Sequence, residues 1–112
     1  KGVTLSISLG SENKIIGATL TVSKDFQTTD AYLCKQVMSQ FIQYFSLMDP
    51  VKMAPVERYI LGGIEPASDE LKTWVHAFNT SGENAVYKDE SCNLMVMNQE
   101  NFICLILATN SK

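Results

Sequence analysis

The sequence has few of the residues that build metal centres and phosphate sites. Among 112 residues it contains one histidine, His76, and one arginine, Arg58. A histidine metal site needs further ligands, and bidentate recognition of phosphate depends on arginine. We therefore predict no metal ion and no bound cofactor.

Cysteine is also scarce, and its spacing matches no known framework. Cys34, Cys92 and Cys104 are odd in number and lie in neither a CxxC nor a Cys/His pattern. Such a set disfavours both a disulfide framework and a zinc site. A reducing compartment fits these cysteines better, so we expect a cytoplasmic location.

The chain lacks both an excess of positive charge and a long apolar run. Nine basic residues stand against twelve acidic ones, and the formal net charge at pH 7 is -3. Nucleic acids and anionic membranes attract proteins with basic surfaces, which this composition does not favour. No apolar run approaches the roughly 20 residues that span a bilayer. We expect neither a nucleic-acid partner nor a membrane span.

The length is that of one globular domain. A chain of 112 residues, 46% of them hydrophobic, can build one hydrophobic core but not two. We predict a single α+β domain over residues 1–112. Because the numbering opens on Lys1 rather than on methionine, we interpret the chain as an excised domain or a processed product of a longer protein.

The clearest periodic segment is residues 28–48, in which apolar side chains recur at steps of three and four. On a helix that turns about 100° per residue, such steps form one stripe. Thr28, Thr29 and Asp30 can cap the first turn, and Pro50 ends the pattern. We predict one long helix whose stripe faces the core. The stripe consists of Cys34, Val37, Met38, Phe41, Phe45 and Met48.

A second, shorter helix is predicted after Ser68, a good N-cap residue. Its apolar side chains occupy the i, i+3, i+4 and i+7 positions, namely Leu71, Trp74, Val75 and Phe78. Between the two helices the pattern is less clear. Residues 58–61 fit either a helical turn that begins near Pro55 and ends at Gly62, or a short strand; proline before and glycine after favour the helix.

Alternation with a period of two predicts five strands. Residues 3–9 and 16–23 alternate apolar side chains with serine, threonine or glycine, so each should have one buried and one exposed face. Turn-forming residues between them predict a hairpin. The last third of the chain predicts three more strands joined by polar connections, over residues 84–88, 92–97 and 102–108.

The last two strands are apolar on both faces. Strands of this kind are covered on both sides, by helices or by another chain. We therefore predict that residual apolar surface near these strands or near the long helix binds a partner. The candidate partner-binding residues are Met95, Met97, Ile103, Leu105 and Leu107.

The predicted element order is β-β-α-α-β-β-β, which implies an α+β domain with a five-stranded antiparallel sheet. We expect the long helix on one face and the shorter helix over part of the other. This order resembles that of profilin-like and roadblock/longin domains, in which a hairpin, a long helix and a three-stranded meander form one sheet. The resemblance covers the two ends of the chain and the long helix, and it implies a fold without functional residues.

No residue stands out as catalytic. His76 should project away from the buried side of its helix into solvent. Cys34 and Cys104 lie in apolar patterns and should be buried, while Cys92, beside two acidic residues, should be the exposed cysteine. Asn79 begins a formal glycosylation triplet, which has meaning only in a secreted protein.

The leading hypothesis is a non-catalytic interaction domain, a scaffold or regulatory module that forms a homo- or hetero-oligomer. An alternative is a small-molecule-binding or sensory domain, with a pocket between the sheet and the long helix. That pocket would be lined by Met38, Phe41, Phe45 and Leu105. An enzyme that uses Cys92 or His76 is a third, less favoured hypothesis.

Overall fold

A computed structural model describes residues 2–45, 50–88 and 92–109 of the chain. Within these ranges the fold comprises five strands and four α-helices, and a 3-10 turn at Ser11–Asn13 follows the first strand. The strands are β1 (Val3–Leu9), β2 (Ile15–Ser23), β3 (Asn84–Lys88), β4 (Cys92–Asn98) and β5 (Phe102–Thr109). The helices are α1 (Lys24–Thr29), α2 (Ala31–Phe45), α3 (Pro50–Gly62) and α4 (Asp69–Asn79).

The strands form one antiparallel sheet in the order β1-β2-β5-β4-β3. The α+β class and the five antiparallel strands are confirmed. Three of the four pairs join strands that are neighbours in the sequence. The fourth pair joins β2 and β5, which are far apart in the sequence, and places Leu20 opposite Leu105. Leu105 is also opposite Val96 of β4. The last strand therefore lies in the middle of the sheet, and β1 and β3 form its edges.

Both helices that were predicted from the sequence lie on the same face of the sheet. Phe41 of α2 lines a cleft together with Leu20, which shares a face with Leu105 and Val96. Asn98, two residues beyond Val96 on that face, donates from Nδ2 to the carbonyl oxygens of Ala77 (3.2 Å) and Phe78 (2.8 Å) in α4. The expectation that the shorter helix covers the opposite face is therefore wrong.

The start of the long helix differs from the prediction. A separate helix, α1, precedes the long helix, and the Ser23 hydroxyl caps it by accepting a hydrogen bond from the Phe26 amide (3.1 Å). The hydroxyls of Thr28 and Thr29 donate back to carbonyl oxygens within α1 instead of capping α2. The α2 helix then begins at Ala31.

The middle of the chain is more helical than the sequence indicated. The α3 helix includes residues 58–61, so the helical interpretation of this segment is confirmed, and Pro55 lies inside the helix. Gly63, rather than Gly62, adopts the left-handed conformation at its end, with φ of 70°. The α4 helix starts as predicted, with the Ser68 hydroxyl accepting from the Leu71 amide (3.1 Å). Met48, predicted to end the long helix, lies outside the described residues.

The core fills the space between the sheet and the helices. Its largest completely buried side chain is Trp74 of α4, which stacks on Phe78 at a ring-centroid distance of 5.4 Å. Tyr59 of α3 meets the same Phe78 ring edge-on at 6.0 Å. This aromatic group holds α3 against α4 and so positions the helical layer above the sheet.

Candidate interaction surface

Three of the five predicted partner-binding residues belong to the core. Ile103, Leu105 and Leu107 of β5 point toward the helices and are buried. Leu105 has an exposed fraction of 0%. The helices of the chain itself thus cover these three side chains, which leaves them out of reach of a partner.

Met95 and Met97 lie on the opposite face of the sheet, which we call the open face. Both side chains are partly exposed, with Met95 opposite Ile106 and Met97 opposite Cys104. At β1 and β2 the open face carries hydroxyl and glycine residues instead, as the alternation predicts. The open face is therefore apolar at one end and polar at the other, and the two methionines stay candidates for partner contacts.

The first hairpin carries the largest group of exposed, large apolar side chains among the described residues. Each of its five members exposes between 45% and 56% of its surface. We call this group the edge patch; it consists of Leu5, Ile7, Leu9, Ile15 and Ile16. The expectation that β1 buries its apolar side is therefore wrong.

The geometry of helices and strands explains why β1 is uncovered. A helix with its side chains is about 10 Å wide, and neighbouring strands are about 4.8 Å apart, so one helix covers about two strands. The α2 helix packs on β2 and β5, and α4 packs on β3 and β4. The remaining strand, β1, is covered by neither of these two helices.

An apolar groove runs between β1 and α2, and we call it the edge groove. Its volume is about 240 Å³, and it is lined by Val3, Leu5, Leu20, Val37, Gln40, Phe41 and Tyr44. Tyr44 is 80% exposed. Leu33, four residues before Val37 and therefore on the same side of the helix, is also exposed. The groove thus continues the edge patch onto α2.

The two edge strands differ in how they are protected. β1 is seven residues long and contains neither a charged residue nor proline, and within the described ranges only β2 pairs with it. β3 is five residues long, ends in Lys88 and lies beneath α4. Natural proteins blunt exposed edges with short strands, lysine, proline or bulges. β1 has only a register irregularity between Ser8 and Leu9.

A second cavity lies among α2, α3 and α4. Its volume is about 220 Å³, and its lining includes Met38 of α2 and Tyr59 of α3 together with Gln27 of α1. The Nε2 atom of Gln27 is buried and has no hydrogen-bond partner among the described residues. Because Nε2 is closed off from solvent, the cavity offers a ligand apolar side chains and Lys35 rather than this donor.

The structure does not bring the four predicted pocket residues into one pocket. Met38 lines the second cavity, Phe41 lines the edge groove and Leu105 is buried in the core. Phe45 is in α2, but its side chain lies outside the described part of the structure. Sequence periodicity placed Met38, Phe41 and Phe45 on one side of the helix without showing which neighbours separate them from one another and from Leu105.

The accessible cysteine is not the one that was predicted. Cys92 is buried, whereas Cys104 is partly exposed on the open face, 3.3 Å from the Thr21 hydroxyl. Cys34 is buried as predicted, and its burial raises the pKa of the thiol. A raised pKa means that the Cys34 thiolate, the nucleophilic form, is scarce at neutral pH.

The polar residues that were considered for catalysis or modification lie apart from one another. His76 is exposed, as predicted. The Asn79 side chain donates to the Tyr59 hydroxyl and to the Val75 carbonyl oxygen. Over residues 2–45, 50–88 and 92–109, no three histidine, cysteine or acidic side chains lie close enough to hold a metal ion. Within the same ranges, no helix is long and apolar enough to cross a membrane.

Comparison of the chain with protein-family models found no match. Comparisons with curated proteins and with solved structures found no match either. The resemblance to profilin-like and roadblock/longin domains stays a prediction from element order.

Proposed function

We propose that the chain is a non-catalytic protein–protein interaction and assembly domain. The edge patch carries this proposal, because soluble proteins commonly expose single apolar residues but seldom a contiguous group of large ones. The patch lies beside an unprotected strand edge and an apolar groove. These three features occur together on one side of the molecule.

The patch is large enough to contribute substantially to binding. Full burial of a large aliphatic side chain stabilises an assembly by about 1.5–3 kcal/mol, so burial of its exposed half contributes roughly 1 kcal/mol. Five such side chains offer a gross gain on the order of 5 kcal/mol, before the entropic cost of association. Strand pairing and the groove would add to this gain.

Photo-crosslinking in the source cells would test the proposal. We expect benzoylphenylalanine at Leu9, an exposed member of the edge patch, to give a discrete crosslinked protein. The same group at Lys72, which is exposed on α4, is the control and should give only background. Equal background at both positions would contradict an interaction through the edge patch.

A crosslinker at Met95 would extend the same experiment to the open face. A discrete product there would assign a contact to the two methionines, whereas background alone would limit the interface to the edge of the sheet. The proposal includes a cytoplasmic location, because Cys34, Cys92 and Cys104 form no disulfide with one another and reduced cysteines are typical of that compartment.

A second candidate function is the binding of a small molecule in the second cavity. The lining of the cavity favours it, since apolar side chains such as Met38 and Ile60 line it and ligand pockets are mostly apolar. Lys35 also lines this cavity, so a ligand with a carboxylate would find a donor and a positive charge. A volume of about 220 Å³ suits a ligand smaller than drug-sized molecules, whose pockets are about 300–1,000 Å³.

Thermal unfolding with a panel of small carboxylates would test this second function. At 100 times its dissociation constant, a ligand that fits should stabilise the wild-type chain by about 2.7 kcal/mol. The variant Lys35→Met, which removes the positive charge while keeping a similar length, should lose most of this stabilisation. A panel in which no compound stabilises the wild type more than the variant would contradict the candidate.

A further inference from the structure

We propose that the edge groove and β1 bind a second copy of this chain. The two copies would pair their β1 strands antiparallel and so form one continuous ten-stranded sheet. This inference rests on the proposed interaction function and identifies the partner. It depends on three observations: the unprotected edge, the symmetry of the β1 sequence and the uncharged side of α2.

The backbone of β1 is suited to strand addition. Along one side it pairs with β2, from Val3 opposite Val22 to Leu9 opposite Ile15. Its other side presents N–H and C=O groups with no strand beside them in the described structure. An edge of this kind is a template for another strand unless charge, proline or cover blocks it. The opposite edge, β3, has Lys88 and the cover of α4.

The sequence of β1 is complementary to itself. With Ser6 opposite Ser6 of the partner subunit, an antiparallel pair places Leu5 opposite Ile7 of the partner subunit and Thr4 opposite Ser8 of the partner subunit. Every apolar side chain then meets an apolar one on the helical side, and every hydroxyl meets a hydroxyl on the open face. Such matching pairs are the unit of sheet stability, and a two-fold axis through Ser6 generates all of them.

A register shifted by one residue loses this match, whereas a shift of two residues keeps it but pairs fewer residues of β1. Because side chains alternate between the two faces, a shift of one residue would place Ser6 opposite an apolar residue and expose half of the set. The irregularity between Ser8 and Leu9 lies at one end of the strand. Residues 4–8, which are centred on Ser6, therefore remain available for regular pairing.

The neighbouring side of α2 is compatible with this arrangement. Leu33, Val37, Gln40 and Tyr44 lie on the side of the helix that borders the edge groove, and none is charged. The one charged residue of α2 is Lys35, about 200° around the helix from Leu33. Two α2 helices can therefore lie on either side of the paired β1 strands without placing a charge beside the contact.

Exposed apolar side chains flank the proposed contact. A standard interface buries about 800 Å² on each partner, and its centre is apolar. The five side chains of the edge patch, with Leu33 and Tyr44, each expose between 45% and 80% of their surface. Pairing at β1 would bury the flanks of Leu5 and Ile7 against the partner strand, and the two β1 strands would form one shared apolar groove between the two α2 helices.

Light scattering after size exclusion would test the inference with the purified chain. We expect the wild type to have twice the mass of one chain at concentrations of tens of micromolar. Ile7→Lys places a charge beside the two-fold axis and should raise the dimer dissociation constant at least tenfold. Val86→Lys makes the matched change on the other edge strand, at a side chain exposed to a similar degree, and should leave the mass unchanged.

Several results would overturn the inference. A wild-type chain that stays monomeric at 100 μM, or an Ile7→Lys variant that stays dimeric, would exclude pairing through β1. Loss of the dimer in Val86→Lys alone would assign self-association to the other edge. A monomeric chain that still crosslinks from Leu9 to a different protein would exclude self-pairing and leave the proposed interaction function intact.

Cysteine crosslinking would test the register independently. Directly opposite residues of an antiparallel pair have Cα atoms about 4.5–5.5 Å apart, within the range of a disulfide. Ser6→Cys should therefore form a disulfide-linked dimer on mild oxidation. Thr4→Cys is the control, because the two Thr4 positions would lie four residues apart along the strands, about 13 Å. Equal crosslinking of both variants would contradict the proposed register.

Discussion

Trp74→Ala is expected to lower the free energy of unfolding by about 3–5 kcal/mol, because it removes the largest completely buried side chain of the core. The substitution leaves a cavity beneath α4 and abolishes the stack on Phe78. Small domains have a total stability of about 5–15 kcal/mol, so a large share would be lost. Thermal unfolding followed by circular dichroism should show a Tm lower by roughly 15–25 °C.

Trp74→Phe is the matched control for this prediction. It keeps an aromatic ring against Phe78 and removes the indole Nε1, a buried donor with no hydrogen-bond partner among the described residues. The desolvation cost of that donor, about 1–3 kcal/mol, would disappear and offset part of the lost packing. We therefore expect a loss under about 1.5 kcal/mol. A loss as large as that of Trp74→Ala would show that Nε1 forms a stabilising contact.

Leu105→Ala is expected to lower the free energy of unfolding by about 2–5 kcal/mol. Leu105 is completely buried on the central strand, opposite Leu20 on one side and Val96 on the other. The residue was a candidate both for partner binding and for a ligand pocket, and the two roles predict different results. A core residue changes stability, whereas a contact residue changes association. Urea unfolding and light scattering measure these two effects separately.

Met95→Ala is the control for Leu105→Ala. Met95 lies on the adjacent strand but on the open face, where it is partly exposed, so its truncation should cost under about 1 kcal/mol. A Leu105→Ala variant with unchanged stability and altered self-association would contradict the core assignment. The same result for Met95→Ala would instead support a contact on the open face.

The local elements of this fold follow from the sequence because they depend on neighbours along the chain. Alternation over residues 3–9 and 16–23 indicates the first hairpin, and the three-and-four periodicity indicates α2 and α4. Ser68 was predicted as a cap on the basis of its side-chain chemistry, and it accepts the predicted type of hydrogen bond from the helix. Ser23 caps α1 in the same way. This cap could have been predicted from the sequence, because the serine precedes a polar segment that is compatible with a helix.

The candidate site was less predictable because exposure depends on distant segments. The alternation in β1 shows which side chains share a face, but the exposure of Leu5 and Ile7 depends on where α2 lies. Likewise, the two-sided apolar character of β5 predicted a strand that is covered on both faces, by helices or by a partner. In the structure this strand is central, and its helical side is the most deeply buried part of the sheet. An apolar pattern therefore shows which side chains share a face, but it does not show which segment covers that face.

The sequence by itself determined the α+β class, the five antiparallel strands and the two amphipathic helices, because hydrophobic periodicity and capping act over a few residues. Only the tertiary structure decided that both helices occupy one face, that β5 lies between β2 and β4, and that β1 is left as an uncovered edge. The physical reason is the width of a helix relative to the spacing of strands, since two helices cover about four strands. Which strand remains uncovered depends on packing between segments that are far apart in the chain.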